Sequence, residues 1–200
     1  MLLLLYVDDT LISAIDQTTI NTLKKDLHSM YKMTEEGVPK LFLSIELDHQ
    51  PNEIRLHQRR YINSILKKFG IENCKPVVTP LLPKAKFSRD NDEPLNTEER
   101  VSYKLLIGIL MYLIVCYRLD LVYTMSILSK YLNKPTREHL RAAKYVLRYL
   151  NKTVDLELVY KRRSNNNNLV RYINTDWTKD FNDRQLTSKY VFILNDTVIS

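Results

Sequence analysis

Two adjacent carboxylates, Asp8 and Asp9, are the residues of this sequence best placed to do chemistry. They lie between two strand-forming runs, residues 2–7 and 10–14, and a two-residue acidic loop between such runs predicts a β-hairpin. Carboxylates at a rigid tip repel each other, and a hard cation such as Mg²⁺ removes that repulsion. In phosphoryl transfer with two metal ions, such a pair holds the attacking and leaving oxygens. A solvated turn without chemistry is the alternative, because Asp is also a common turn residue.

A helix and a second hairpin are predicted directly after the acidic tip. Asp16 is a helix cap, and the apolar residues that follow it recur at steps of three and four, so we expect a helix half-buried on the sheet of the aspartates. The alternation of residues 41–47 predicts a strand, and the turn at Pro51 and Asn52 leads into a second strand. The apolar side of the helix consists of Ile20, Leu23, Leu27 and Met30.

Four further helices are predicted from apolar spacing. The first, over residues 58–69, is expected to end at Gly70, where a left-handed cap is common. The helix that begins at Tyr103 is apolar nearly all round, which predicts that it is buried. Asp120 and Thr136 are candidate caps of the last two helices.

A row of cations runs along the last predicted helix. Its members, spaced by four, three and four residues, are Arg137, Arg141, Lys144 and Arg148. They therefore share one exposed face, which suits the phosphates of a duplex and would make binding salt-dependent. The formal net charge of +7 favours a polyanionic partner in the same way. A solvated helix face is the alternative.

Composition argues against several classes of protein. The chain has 200 residues, of which 44% are hydrophobic and 26% charged, as is typical of globular domains. Cys74 and Cys116 lie far apart and outside any cysteine–histidine cluster, so we expect no zinc, no haem and no disulfide framework, but reduced thiols in an intracellular protein. The opening apolar run is too short to span a bilayer, and no membrane role is expected.

The four residues Tyr6-Val7-Asp8-Asp9 resemble the catalytic hairpin of reverse transcriptases. Further segments are similar, in the same order, to copia-type retrotransposon Pol polyproteins, and the resemblance covers nearly the whole chain. These segments are residues 43–47, 74–81, 143–150 and 187–192. The chain is identified by this resemblance as the C-terminal part of a reverse transcriptase domain running into the start of a ribonuclease H domain.

The resemblance implies an α+β fold in four segments. It predicts a partial reverse transcriptase palm of antiparallel hairpins with a packed helix, a helical thumb and connection, and the N-terminal strands of an RNase H-like fold. The implied segments are a partial palm with a primer-grip-like hairpin and the first thumb helix (1–72), a proline-rich connection (73–100), a helical thumb and connection (101–152) and truncated RNase H-like strands (153–200).

The same resemblance implies the chemistry. Asp8 and Asp9 would hold Mg²⁺ or Mn²⁺ for nucleotidyl transfer from dNTPs to a primer on an RNA or DNA template. Tyr6 would lie under the end of the primer–template. The residues that would contact backbone phosphate are Arg137, Arg141, Lys144 and Arg148.

The sequence departs from the family pattern at four positions. Ser44 and Lys189 stand where the family prefers glycine, and Leu119 stands where it has proline. Asn174 replaces the first ribonuclease H carboxylate, and a neutral amide adds no charge to a metal pair, so ribonuclease H activity is not expected.

The palm of the family also needs a third carboxylate and the fingers, which lie upstream of the hairpin. We therefore expect only weak metal binding and no polymerase activity from this chain alone. The alternative is a non-catalytic basic remnant that binds nucleic acid or a partner protein.

Overall fold

The computed structural model describes residues 1–82, 93–162, 169–176, 187–194 and 196–199. The helices of these residues are α1 (Gln17–Met30), α2 (Arg59–Lys68), α3 (Thr97–Cys116), α4 (Val122–Leu128) and α5 (Arg137–Lys152). The strands are β1 (Leu2–Tyr6), β2 (Asp9–Ser13), β3 (Leu41–Phe42), β4 (Ile45–Gln50), β5 (Glu53–His57), β6 (Leu158–Lys161), β7 (Leu169–Asp176), β8 (Thr187–Leu194) and β9 (Thr197–Val198). The predicted mixture of helices and antiparallel sheets is confirmed.

The strands form three antiparallel sheets. β1 and β2 pair only with each other, β3 to β6 form a four-stranded sheet in chain order, and β7 to β9 form a three-stranded sheet. The last two sheets are joined where the hydroxyl of Tyr160 donates a hydrogen bond to the carbonyl of Val198 over 3.1 Å. The acidic hairpin is therefore separate from the larger sheets within the described residues.

The hydrophobic core lies among α2, α3, α4 and α5. Each of these helices buries one apolar face, and α1 buries no residue fully. Members of the core with almost no exposed surface include Ile62, Leu66, Leu106, Leu110, Met125 and Leu147. This bundle therefore positions α5 and its row of cations.

Helix α1 begins as predicted, but its apolar face is less buried than predicted. Asp16 caps it, because its carboxylate accepts a hydrogen bond from the backbone amide of Thr19 over 2.7 Å. Ile20, Leu23 and Leu27 are half-buried, but Met30 at the end of the stripe is 65% exposed. The apolar stripe is therefore only partly used within the described chain.

The strand predicted over residues 41–47 is wrong, because the chain turns back within it. β3 and β4 pair antiparallel, with Phe42 opposite Ile45, so Leu43 and Ser44 form a two-residue loop. Both loop residues have positive φ, 50° and 60°, which is the geometry of a type I′ turn. Such turns prefer Asn and Gly, so the residue types of Leu43 and Ser44 did not predict a turn here. The second hairpin, which turns at Pro51 and Asn52, is confirmed.

Helix α3 starts earlier and is less buried than its composition predicted. Asn96 and Glu99 form a reciprocal capping box, which starts the helix at Thr97 rather than Tyr103. One face is buried, but Met111 and Val115 on the other face are exposed, the latter by 82%. Although α3 carries apolar residues on every face, only one of its faces is buried.

Asp120 is not the helix cap that the sequence predicted. Its carboxylate oxygens instead accept hydrogen bonds from Nε and Nη2 of Arg118 over 2.9 and 2.8 Å. The Arg118 side chain is 1% exposed and also donates to the carbonyl and hydroxyl of Thr153 at the end of α5. A buried cation at the α3–α4 junction therefore needs this carboxylate, and the short α4 starts without a side-chain cap. The other predicted cap, Thr136 at the start of α5, is confirmed.

The strand after α5 lies in the four-stranded sheet, and the strands that follow it form a sheet of their own. β6 pairs with β5, with Leu158 opposite Leu56, and so extends the β3–β5 sheet. β7 pairs with β8, as separate antiparallel strands. Residues 83–92 of the predicted proline-rich connection lie outside the described residues, and the rest of that connection is described. The predicted segment boundaries and the RNase H-like assignment stay predictions.

Candidate functional site

The acidic hairpin forms as predicted, with its turn shifted by one residue. Tyr6 pairs with Asp9 across β1 and β2, so the two-residue loop is Val7-Asp8 rather than Asp8-Asp9. Asp9 is therefore the first residue of β2, held by strand pairing, and Asp8 occupies the loop itself. The tight turn fixes both carboxylates at one end of a short two-stranded ribbon.

The backbone of this turn is strained at Val7. Its φ is 52°, in the left-handed region that is unfavourable for a β-branched residue. Residues held in such conformations cluster at functional sites and cost about 1–3 kcal/mol each. The Val7 side chain is 80% exposed, so no packing of the described residues compensates for the strain.

Asp8, Asp9 and Tyr6 all face solvent. Within the described residues, no third histidine, cysteine or carboxylate lies close enough to complete a metal-ligating group with the two aspartates. Two hard oxygen donors at a fixed tip fit Mg²⁺, which typically takes one or two carboxylates and leaves further positions to water and phosphate. The arrangement therefore suits a divalent cation and offers two carboxylate ligands for it.

The β3–β4 turn, the predicted primer-grip-like element, is attached to the helical core. The hydroxyl of Tyr112 on α3 donates a hydrogen bond to the carbonyl of Leu43 in the turn. Its ring also packs edge-on against Tyr61 of α2, with ring centroids 5.4 Å apart. Burial, followed by interaction with Cys116, raises the pKa of Tyr112 to about 12. Tyr112 thus attaches the β3–β4 turn to helices α2 and α3 of the bundle.

The row of cations on α5 is present, but two of its four members are already engaged. Nε of Arg137 lies 2.7 Å from a carboxylate oxygen of Glu93. Nε of Arg148 donates to the carbonyl of Lys75 over 2.7 Å. These two side chains hold the polypeptide at both ends of the helix.

Arg141 and Lys144 lie between them and are exposed. Within the described part of the chain, neither side chain has a hydrogen bond or an ion pair. Arg141 and Lys144 are therefore the cations of this helix that are most available to a partner.

Asn174 lies in β7, where its backbone pairs with Lys189 of β8. The side chains of both residues lie outside what the structure describes, so the predicted loss of a ribonuclease H ligand stays a prediction. Among the described residues, the helices lack the combination of length and apolar composition that a membrane span requires.

Sequence reasoning missed a cluster of ionisable side chains on the four-stranded sheet. Asp48, His57 and Glu157 each present a ligand atom, and these atoms lie within 4.8 Å of one another. No local motif could have revealed this group, because Glu157 is 100 residues from His57 in sequence and reaches it only through the pairing of β5 and β6.

The sequence is similar to known reverse transcriptases and retrotransposon polyproteins. A family model described as reverse transcriptase (RNA-dependent DNA polymerase) matches residues 1–83. The retrovirus-related Pol polyprotein from transposon TNT 1-94 of Nicotiana tabacum is 33% identical over 100% of this chain and 15% of its own length. The corresponding polyprotein from transposon RE1 of Arabidopsis thaliana is 33% identical over 99% of this chain and 13% of its own length.

A shorter relative has nearly the same extent as this chain. An uncharacterized mitochondrial protein of Arabidopsis thaliana is 30% identical over 100% of this chain and 81% of its own length. No solved structure matches the chain significantly. The chain thus spans only about one seventh of the transposon polyproteins that it matches.

Proposed function

Because the chain belongs to the reverse transcriptase family of copia-type retrotransposon Pol polyproteins, we propose that it is part of an RNA-directed DNA polymerase. The observation that carries this proposal is the exposed β1–β2 hairpin with Asp8 and Asp9 at its tip. In this proposal the hairpin supplies metal ligands, and α5 supplies contacts to the primer–template.

Asp8 and Asp9 would hold Mg²⁺ or Mn²⁺. When bound, such ions stabilise the attacking and leaving oxygens of nucleotidyl transfer. The chain's own contribution is to fix both carboxylates at one tip, because the two-residue turn and the Tyr6–Asp9 pair leave the loop little freedom. Tyr6, exposed next to them, would lie under the end of the primer–template.

We propose that the 200 residues do not polymerise by themselves. A palm needs a third carboxylate, and within the described residues none joins Asp8 and Asp9. Two adjacent carboxylates on one hairpin offer too few protein ligands to fix two divalent ions beside a triphosphate. The fingers and the third carboxylate would come from further polypeptide, as in the longer polyproteins of the family.

The helix α5 would bind backbone phosphate through Arg141 and Lys144. Both are exposed on one helix face, and the formal net charge of +7 strengthens attraction to nucleic acid. Arg137 and Arg148 would contribute less, since their guanidinium groups already contact Glu93 and the carbonyl of Lys75.

A non-catalytic nucleic-acid-binding module is the second candidate. The observation that favours it is that the core of α2 to α5 packs without any contribution from the acidic hairpin. Such a module would keep the cations of α5 and would not use Asp8 or Asp9.

A primer-extension assay separates the two candidates. The chain is incubated with a labelled primer on an RNA or DNA template, dNTPs and either Mg²⁺ or Mn²⁺, with an Asp8→Asn variant in parallel. We expect binding to the primer–template without incorporation by the unassisted chain. Incorporation that Asp8→Asn abolishes would show a complete enzyme, and a lack of binding at low salt would remove both candidates.

A further inference from the structure

We propose that Asp48, His57 and Glu157 form a binding site for a divalent transition-metal ion such as Zn²⁺. This site is separate from the acidic hairpin and does not depend on the function proposed above. It lies on one face of the β3–β6 sheet, where three neighbouring strands meet.

The sheet register brings the three side chains together. His57 of β5 is directly opposite Glu46 of β4, and Asp48 is two residues further along β4. The side chains of His57, Glu46 and Asp48 therefore point to the same face of the sheet. Leu56 of β5 pairs with Leu158 of β6. This register places Glu157, just before β6, next to His57 on the strand edge away from β4. Oδ2 of Asp48 lies 3.1 Å from Nε2 of His57.

The contacts of His57 Nε2 conflict with each other in the absence of a metal. This nitrogen lies 3.1 Å from Oδ2 of Asp48, which is an acceptor, and 3.2 Å from Nη1 of Arg59, which is a donor. One ring nitrogen carries either a hydrogen or a lone pair, so it satisfies one neighbour and opposes the other. A metal ion on the lone pair of Nε2 would resolve this conflict, because it attracts the nitrogen and the carboxylate alike.

The other ring nitrogen has the surroundings of a metal-bound histidine. His57 is 3% exposed, and Nδ1 has no hydrogen-bond partner among the described residues. Oε1 of Glu46 lies 3.4 Å from Nδ1, just outside bonding geometry. Metal-binding histidines usually donate the second ring N–H to a carboxylate, which fixes the tautomer and leaves the other nitrogen to the metal. Oε1 of Glu46 also accepts a hydrogen bond from the backbone amide of Arg60 over 2.9 Å, which holds the carboxylate beside Nδ1.

Arg59 occupies the position that a metal ion would take. Its guanidinium contacts His57 and forms an ion pair with Glu157, and its Nε lies 3.0 Å from Asp155. Asp155 is exposed, so the long Arg59 side chain retains a carboxylate partner when it swings outward. Arg59 is thus a built-in competitor, and its removal should strengthen metal binding.

The donor set identifies the class of ion. One imidazole nitrogen and two carboxylate oxygens suit Zn²⁺, which binds such atoms at about 2.0–2.2 Å and accepts water as a fourth ligand. Mg²⁺ prefers oxygen ligands alone and is not expected to compete here. The sequence predicted no zinc because it has no cysteine–histidine cluster, whereas this group exists only through strand pairing.

Calorimetric titration of the full chain with Zn²⁺ at neutral pH, in millimolar Mg²⁺ to occupy the acidic hairpin, tests the proposal. We expect one Zn²⁺ per chain. His57→Gln and Asp48→Asn should abolish this binding, and Arg59→Gln should strengthen it several-fold. His49→Gln is the matched control, because His49 lies on β4 but its ring contacts the carbonyl of Pro39 instead.

A second readout separates a metal site from an ion-pair cluster. Zn²⁺ should raise the unfolding temperature of the wild type and of His49→Gln but not of Asp48→Asn, whose side chain is half-exposed and tolerates the change. An ion-pair cluster alone predicts that Arg59→Gln lowers stability without any gain in Zn²⁺ affinity. Absence of Zn²⁺ binding, or equal binding by wild type and Asp48→Asn, would overturn the proposal.

Discussion

The hydroxyl of Tyr112, in the last turns of α3, donates a hydrogen bond to the backbone carbonyl of Leu43 in the β3–β4 turn. This bond links the turn that resembles a primer grip to the helical core that carries the α5 cations. Tyr112 is therefore one of the contacts that join the primer-grip-like turn to the bundle that carries the α5 cations.

Replacing Tyr112 with Phe should destabilise the chain by about 1 kcal/mol, the usual value for one lost hydrogen bond. The pKa of Tyr112 is raised to about 12 in the folded chain, above its value of about 10 when unfolded. Its stabilising contribution is therefore complete below pH 10 and is lost as the pH rises towards 12. Urea unfolding at pH 8 and pH 11 measures both effects.

The exposed Tyr31 provides the control for this experiment. Tyr31→Phe should leave the stability at pH 8 and its decrease at pH 11 unchanged, whereas Tyr112→Phe should show a smaller alkaline decrease than the wild type. An identical alkaline decrease in the wild type and Tyr112→Phe would contradict the assigned contact.

Ser44→Gly should stabilise the chain by about 1 kcal/mol. Ser44 has a φ of 60°, in the left-handed region that costs a residue with a Cβ roughly 1–2 kcal/mol and costs glycine almost nothing. Ser44→Ala keeps the Cβ and should bring no such gain. Chemical denaturation of both variants tests the prediction, and a stabilisation by alanine equal to that by glycine would show that backbone strain is not the cause.

Asp120→Asn should destabilise the chain by about 2 kcal/mol, because it leaves the buried guanidinium of Arg118 without a counter-charge. This figure is below the usual range for fully buried pairs, since the Asp120 side chain is 34% exposed. Denaturant unfolding measures the loss. Asp26→Asn, on the exposed side of α1, is the control and should have little effect.

The Arg118–Asp120 ion pair also predicts that the stability of the chain decreases at acidic pH. Burial alone would raise the pKa of Asp120, but the hydrogen bonds and charge of Arg118 outweigh it and hold that pKa below its ordinary value. The stabilisation is thus present above about pH 4 and is lost as the pH falls through the lowered pKa. A wild type and an Asp120→Asn variant that lose stability equally in acid would contradict this assignment.

Arg141→Ala combined with Lys144→Ala should weaken duplex binding and make it less salt-dependent. Each lost phosphate contact lowers the slope of log affinity against log salt by about 0.9, so the double variant should lose roughly 1.8. Fluorescence anisotropy over a salt series measures the slope. Lys25→Ala with Lys32→Ala removes the same charge from exposed positions elsewhere, and an equal reduction there would indicate attraction by net charge alone.

Elements whose signals are local in sequence were predictable. The cap at Asp16, the turn at Pro51 and Asn52, and the helix end before Gly70 each depend on one or two residues with strong backbone preferences. The acidic hairpin was predicted for the same reason. Its turn was displaced by one residue because strand pairing, rather than residue preference, placed the positive φ on Val7.

Features that depend on distant residues were not predictable. The pairing of β5 with β6 joins segments about 100 residues apart, and it creates the cluster around His57. The ion pair of Arg118 removed Asp120 from its expected role as a cap, because a buried cation is costlier than an uncapped short helix. The engagement of Arg137 and Arg148 likewise depends on segments far from α5.

The most direct test of the central claim completes the palm. A chimera joins the polypeptide that precedes the matching segment in the TNT 1-94 polyprotein to these 200 residues, and primer extension is measured with Mg²⁺. We predict template copying that Asp8→Asn and Asp9→Asn each abolish and that Asp26→Asn leaves intact. A folded chimera that does not copy, or one that copies equally well without those two carboxylates, would contradict the account.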